Sequence, residues 1–164
     1  MRSKKILFCS HCVLNQNTVV TPLHRARGAF PETVKVLLEE GIGLVQLPCP
    51  EFLALGDARA PMDWAAYNSL AGYRPFCRTL AESYADLAKT YDDSSLELLG
   101  ILGIQASPTC SLFGTRGVFM EEFIESLKRR RLEPKGLEIP IDHEEGRECE
   151  AFLSALRRGA FQKL

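Results

Sequence analysis

Cys12, Cys49 and Cys110 each stand just past a short apolar run of the kind that forms a β-strand: Ile6-Leu7-Phe8-Cys9, Gly43-Leu44-Val45-Gln46-Leu47 and Leu98-Leu99-Gly100-Ile101-Leu102-Gly103-Ile104. Two of these thiols have functional neighbours. Cys49 opens Cys49-Pro50-Glu51, and Cys110 closes Ser107-Pro108-Thr109-Cys110. In an open parallel α/β sheet the carboxyl ends of the strands converge on one edge, the usual ligand crevice. Three soft thiolates with a carboxylate beside them suggest a metal centre that keeps one coordination position open. A closed structural zinc site normally takes four protein ligands in paired short spacings. Here Cys9-Ser10-His11-Cys12 is the one C-x-x-C, and Cys9 is expected to point from its strand into the sheet packing. Iron–sulfur clusters are also held by thiolates, and an iron without a protein ligand can bind substrate. Spacing alone leaves both zinc and a cluster open.

The other candidate residues read more plainly. Cys77 and Cys149 fall in helical runs and are expected to pack there. His11 reads as a loop contact. His24 is a candidate substrate contact, and His143 is expected to face solvent or begin a helix.

The elements that must position these groups follow a β-α alternation. Strands are predicted over 5–9, 43–47, 96–104 and 137–141. Helices are predicted over 30–40, over 63–91 with a break around Gly72-Tyr73-Arg74-Pro75, over 118–130 and over 144–158. The residues after Cys12, from Val13 to Thr18, read as a loop. Nearly continuous apolar strands alternating with helices predict an α/β protein. The expected architecture is a three-layer α/β/α sandwich with a mainly parallel four-stranded sheet, Rossmann-like, in the order 2-1-3-4. That order puts the switch point at the ends of strands one and three, beside strand two, where the three cysteines fall.

At 164 residues the chain is expected to form one domain spanning 1–164. A net charge of −1 gives no electrostatic case for duplex nucleic acid or a membrane surface as partner. No apolar run approaches the roughly 18 residues that span a bilayer. The start reads as a strand rather than a secretion signal, because its apolar stretch ends after four residues. The expected location is therefore cytoplasmic, where thiols stay reduced, so six cysteines point to metal or redox chemistry.

Taken in order, Ser10-x-Cys12-x-Leu14, Cys49-Pro50-Glu51, Ser107-Pro108-x-Cys110 and Gly117-Val118-Phe119 resemble the 2-thiouracil desulfurase family. The resemblance runs from the first strand to the helix after Cys110. It implies a 4Fe–4S cluster held by Cys12, Cys49 and Cys110, with catalytic roles for Glu51 and Ser107. The expected activity is a non-redox desulfurase, removing sulfur from a thiolated small molecule such as a thiolated pyrimidine. Sulfur would bind the open iron, which is soft enough to prefer it to oxygen. Glu51 is then the candidate general acid/base. Ser107 and Asn15 are candidate hydrogen-bonding partners of the substrate ring, and Arg59, Arg25 and His24 are candidate contacts for an anionic or nucleotide-like substrate.

Two other classes compete. One is a non-catalytic iron–sulfur or zinc-binding module for electron transfer or sensing, with Cys9 as a fourth ligand and no need of Glu51. The other is a dithiol oxidoreductase using Cys9 and Cys12, a motif that usually sits at a helix N-terminus.

Overall fold

The structure is a computed structural model that describes residues 1–145 and 150–164. The first strand, β1 (Lys5–Cys9), alternates its side chains between two separate cores. Phe8 faces one, and Leu7 and Cys9 face the other. It lies in the middle of the sheet, pairing in parallel with β2 (Gly43–Gln46) on one side and β3 (Glu97–Ile104) on the other. β3 pairs in parallel with β4 (Lys135–Ile139). A fifth strand, β5 (Gln162–Lys163), adds antiparallel to β4, so the order is β2-β1-β3-β4-β5. The expected α/β class and the 2-1-3-4 run both hold. The short edge strand is an addition that two residues of sequence could not announce.

Helices cover both faces. α2 (Pro31–Glu39) and α7 (Glu150–Arg157) pack with Leu7, Leu102 and Ile139 on one side. On the other side α5 (Tyr73–Asp93) and α6 (Val118–Arg129) bury Phe8, Ile101, Phe119 and Phe123. Arg74 and Arg78 of α5 hold Glu122 of α6, and Arg130 reaches back to Glu82 and Asp86. The basic residues at the end of α6 thus stitch two helices together. α4 (Trp64–Ser69) precedes α5, and the break falls at Gly72, whose φ of +77° suits a residue without a Cβ. Pro75 sits within the first turn of α5, where its missing N–H costs nothing.

Three stretches differ from the sequence expectation. Residues 11–18 hold a four-residue helix, α1 (His11–Leu14), and a 3-10 turn (Gln16–Thr18). Pro50, which ends the apolar run of β2, also starts α3 (Pro50–Leu55) at a position that favours proline. The last helix begins at Glu150, and Glu144 and Glu145 precede it in the β4–α7 connection. Cys77 is wholly buried among the core residues, as expected, whereas the packing expected of Cys149 lies outside the described residues. His143 does not face solvent. It is fully buried between the rings of Phe30 and Phe152, with Nε2 3.2 Å from Glu145. That carboxylate accepts from the Glu32 and Thr33 amides, which open α2, so His143 belongs to a buried capping arrangement. Among the described residues no helix is long and apolar enough to cross a membrane.

The loop after β3 is held on all sides. Glu138 accepts from the amides of Leu112 and Phe113, and the Pro108 and Thr109 carbonyls accept from Val118 and Met120 in the first turn of α6. Gly117 makes this possible, because a Cβ there would lie 2.2 Å from the Thr109 carbonyl carbon and 2.5 Å from the Cys110 nitrogen. Gly117→Ala should therefore destabilise the fold by about 3 kcal/mol, at the upper end of overpacking costs. Urea unfolding measures it, and a loss below about 0.5 kcal/mol would mean the loop yields freely.

Candidate metal centre and active site

The loops following β1, β2 and β3 meet over one cavity of about 450 Å³. Its lining includes Cys12 from α1, Cys49 from the β2–α3 junction and Cys110 from the loop after β3. Glu51, Ser107, Arg59, Arg25 and His24 line it too, so eight of the nine residues singled out in the sequence share one space. Asn15 is the exception. Its side chain accepts from the Asn17 amide at 3.1 Å and caps the 3-10 turn instead of lining the cavity.

The thiols are costly to ionise where they stand. Burial pushes Cys12 up to about 12, helped by the charge of Cys49 and opposed by Arg25. Burial also raises Cys110 well above the ordinary thiol value, with Cys12, Cys49 and Glu51 adding repulsion. Cys49 is raised for the same first reason, while the Phe52 amide and the Thr18 hydroxyl pull the other way. Cys12 thus feels the charge of Cys49, and Cys110 that of both, across the cavity. Among the described residues no group of three His, Cys, Asp or Glu side chains could hold a metal ion. The thiols share a cavity without being gathered on one point.

In a cluster each thiolate binds its own iron, whereas a single zinc ion takes all its ligands at one point. A further fit lies beside Cys110. The Ser10 hydroxyl is fully buried and lies close enough to Cys110 to favour its thiolate form. Cys9 takes no part: it is fully buried on the α2–α7 face, and burial pushes its thiol up to about 12. A buried, protonated Cys9 at the end of a strand argues against the dithiol reading.

Around the thiols the polar groups are fixed by short bonds. Ser107 Oγ accepts from the Cys110 amide at 3.0 Å and the Thr109 amide at 3.3 Å, which turns the loop and leaves its own proton free to donate. Arg59, its side chain 2% exposed, donates to the Thr18 carbonyl at 2.6 Å and the Gly56 carbonyl at 2.9 Å. Its Nε stands 3.4 Å from Glu51. Arg25 donates to the Pro140 carbonyl at 2.5 Å and to Ile141 at 3.2 Å, and it lies over the Phe30 ring. His24 is exposed at the rim. His11 opens α1 rather than lying in a loop, with Nδ1 3.2 Å from the Leu47 carbonyl, and it also borders the cavity.

Two residues that the sequence did not single out belong to this site. Gln16 is buried; its Nε2 donates to the Cys12 carbonyl at 2.8 Å, and its Oε1 accepts from the Arg25 amide at 2.8 Å. Tyr67, from α4, brings a buried phenol to the same cavity. The remaining walls are apolar, with Val19, Val20, Leu23, Met62 and Ile104 prominent.

The chain is 38% identical over 140 residues to the uncharacterized protein MJ0003 of Methanocaldococcus jannaschii, covering 85% of this chain and 88% of that one. It belongs to the same family as that archaeal protein. No family model matches the chain, and no solved structure matches it.

Two outcomes follow from the site's electrostatics. Replacing Arg59 by Met leaves Glu51, with a side chain 13% exposed, without its cation and frees two backbone carbonyls. The expected loss is about 3–5 kcal/mol in chemical denaturation. In metal-free protein at pH 8 the Cys12 thiol is held protonated, so iodoacetamide should modify it at least about a hundredfold more slowly than a free thiol. The rate should climb with pH towards about 12, followed by mass spectrometry.

Proposed function

We propose that the chain is an iron–sulfur-dependent, non-redox desulfurase acting on a thiocarbonyl compound, with a thiolated pyrimidine as the leading substrate class. The observation that carries this reading is the convergence of Cys12, Cys49 and Cys110 on the cavity that Glu51 also enters. The ordered motifs resembling 2-thiouracil desulfurases supply the choice of reaction. Cys12, Cys49 and Cys110 would hold a 4Fe–4S cluster. When bound, the cluster supplies a soft Lewis-acidic iron without a protein ligand, which favours sulfur over oxygen.

The chain's own residues account for the rest. Val19, Val20, Met62 and Ile104 wall the cavity and limit water around the substrate ring. The Ser107 hydroxyl, already accepting two amide protons, is left as a donor towards a ring oxygen or nitrogen. Glu51 takes a proton from the attacking water at its carboxylate and returns one to the departing sulfur. Arg59 keeps that carboxylate facing the thiols and balances its charge. The net change replaces C=S by C=O, with water as the oxygen source and hydrogen sulfide as the second product. No electrons are transferred.

Protein purified without oxygen should be brown, on the order of one cluster per chain. Changing Cys12, Cys49 or Cys110 singly to Ser should remove most of that absorption, while Cys77→Ser leaves it. Glu51→Gln should keep the colour and lower turnover of 2-thiouracil by about 10²- to 10⁴-fold, the usual contribution of a positioned acid/base. A cluster-bearing protein that turns over no thiocarbonyl compound would instead be an electron-transfer or sensing module. A colourless protein that binds no iron would end both readings.

A further inference from the structure

Apolar side chains left in water beside a cavity mark a place where part of a ligand can be covered. Leu23 is 58% exposed and Ile141 63% exposed, and both line the cavity that Cys12, Cys49, Cys110 and Glu51 share. Burial raises the Cys12 and Cys110 thiols, so the cavity runs from desolvated sulfur to wet aliphatic side chains at its mouth. The two exposed residues are held in place. The Leu23 amide donates to the Val20 carbonyl at 2.8 Å, and the Ile141 amide to Gln105 Oε1 at 2.8 Å. Arg25 joins the two segments: Gln16 accepts from its amide, and its guanidinium donates to the Pro140 and Ile141 carbonyls. A fixed apolar rim needs no ordering when a ligand covers it.

The space also exceeds the reacting ring. A cavity of about 450 Å³ is of the size that takes up a drug-sized ligand, and a lone pyrimidine leaves much of it to water. Charge decides what fits the remainder. An anionic arm would enter a space already lined by three thiols and a carboxylate. The buried cation is committed, because each nitrogen of Arg59 has an acceptor in Glu51, Gly56 or Thr18. Arg25 serves two carbonyls, lies over the Phe30 ring and already feels the negative charge of Cys12 and Asp142. His24 stands exposed at the rim, where water and salt screen any charge it carries. An uncharged alkyl arm meets no such repulsion, and it shields Leu23 and Ile141 from water.

We propose that the substrate is a thiolated pyrimidine whose ring edge opposite the C=S group carries an uncharged alkyl arm, lying against Leu23 and Ile141. The inference rests on the reading of the cavity as a thiopyrimidine site. With sulfur towards the thiols, ring carbon 5 faces away from them, so a chain on that carbon runs towards the exposed end. Leu23 and Ile141 then determine specificity without touching the reacting atoms.

The test measures binding to anaerobically purified protein by calorimetry, with uracil, 5-butyluracil and 5-(2-carboxyethyl)uracil as unreactive probes. The butyl compound should bind about thirtyfold more tightly than uracil, since each fully buried carbon is worth about fourfold and the outer ones stay partly wet. The carboxyethyl compound should bind no better than uracil. Combining Leu23→Ser with Ile141→Ser, both at exposed positions, should weaken 5-butyluracil about tenfold and leave uracil within about twofold. Equal affinity for uracil and 5-butyluracil, tighter binding of the carboxyethyl compound, equal loss of both rings in the double variant, or no binding of any probe would each overturn the proposal. So would a wild-type dimer in sedimentation that the double variant lacks, because a second copy would then cover the rim. Turnover of 5-butyl-2-thiouracil is read separately. Protein that binds the butyl probe as expected yet converts no thiocarbonyl compound would end the desulfurase reading and leave the site of the arm standing.

Discussion

The cost of keeping charge away from water governs this site. Three thiols and a carboxylate from separate loops are turned into one apolar-walled cavity, where every additional negative charge repels the others. In the bare protein the thiols answer by holding their protons. A polycationic group that accepts three thiolates reverses the balance, since binding replaces three costly ionisations with metal–sulfur bonds. The buried Ser10 hydroxyl beside Cys110 and the Phe52 amide beside Cys49 already lean towards the thiolate forms.

The sheet makes that gathering inexpensive. β1 sits between β2 and β3, so three loops that lie far apart along the chain leave adjacent strands at the same edge. Each is then fastened to its own helix: Cys12 lies in α1, Cys49 precedes α3, and the Cys110 loop is bonded to the start of α6. The ligand loops consequently take their positions from the packed layers below. Arg74 and Arg78 tie α5 to Glu122 near the start of α6, the helix to which the Cys110 loop is bonded.

How much of this could be read from the sequence depends on the length of the signal. β1 was legible in full, as was α6, because a continuous apolar run and a long amphipathic stripe admit few alternatives. α3 was not, since six residues with Leu53, Ala54 and Leu55 all exposed carry no stripe, and Pro50 serves equally as a strand stop and a helix start. β5 depends on backbone pairing with β4 and has no pattern of its own. The candidate site fared better for charged and sulfur-bearing residues than for neutral ones. Cysteine, glutamate and arginine advertise chemistry by type, whereas Gln16 and Tyr67 are recognised only by where the fold places them, on the wall of the cavity. Asn15 and His143 show the converse: each has a suggestive side chain, and local capping claims both.

Gln16 joins two parts of the site. One side-chain amide grips the Cys12 carbonyl at the base of the cavity and the Arg25 amide near its mouth. Its own backbone is tied to Gly28 further along the same stretch. Cys12 and Arg25 are thereby parts of a single hydrogen-bonded piece, and a displacement at one is felt at the other across the wall of the cavity.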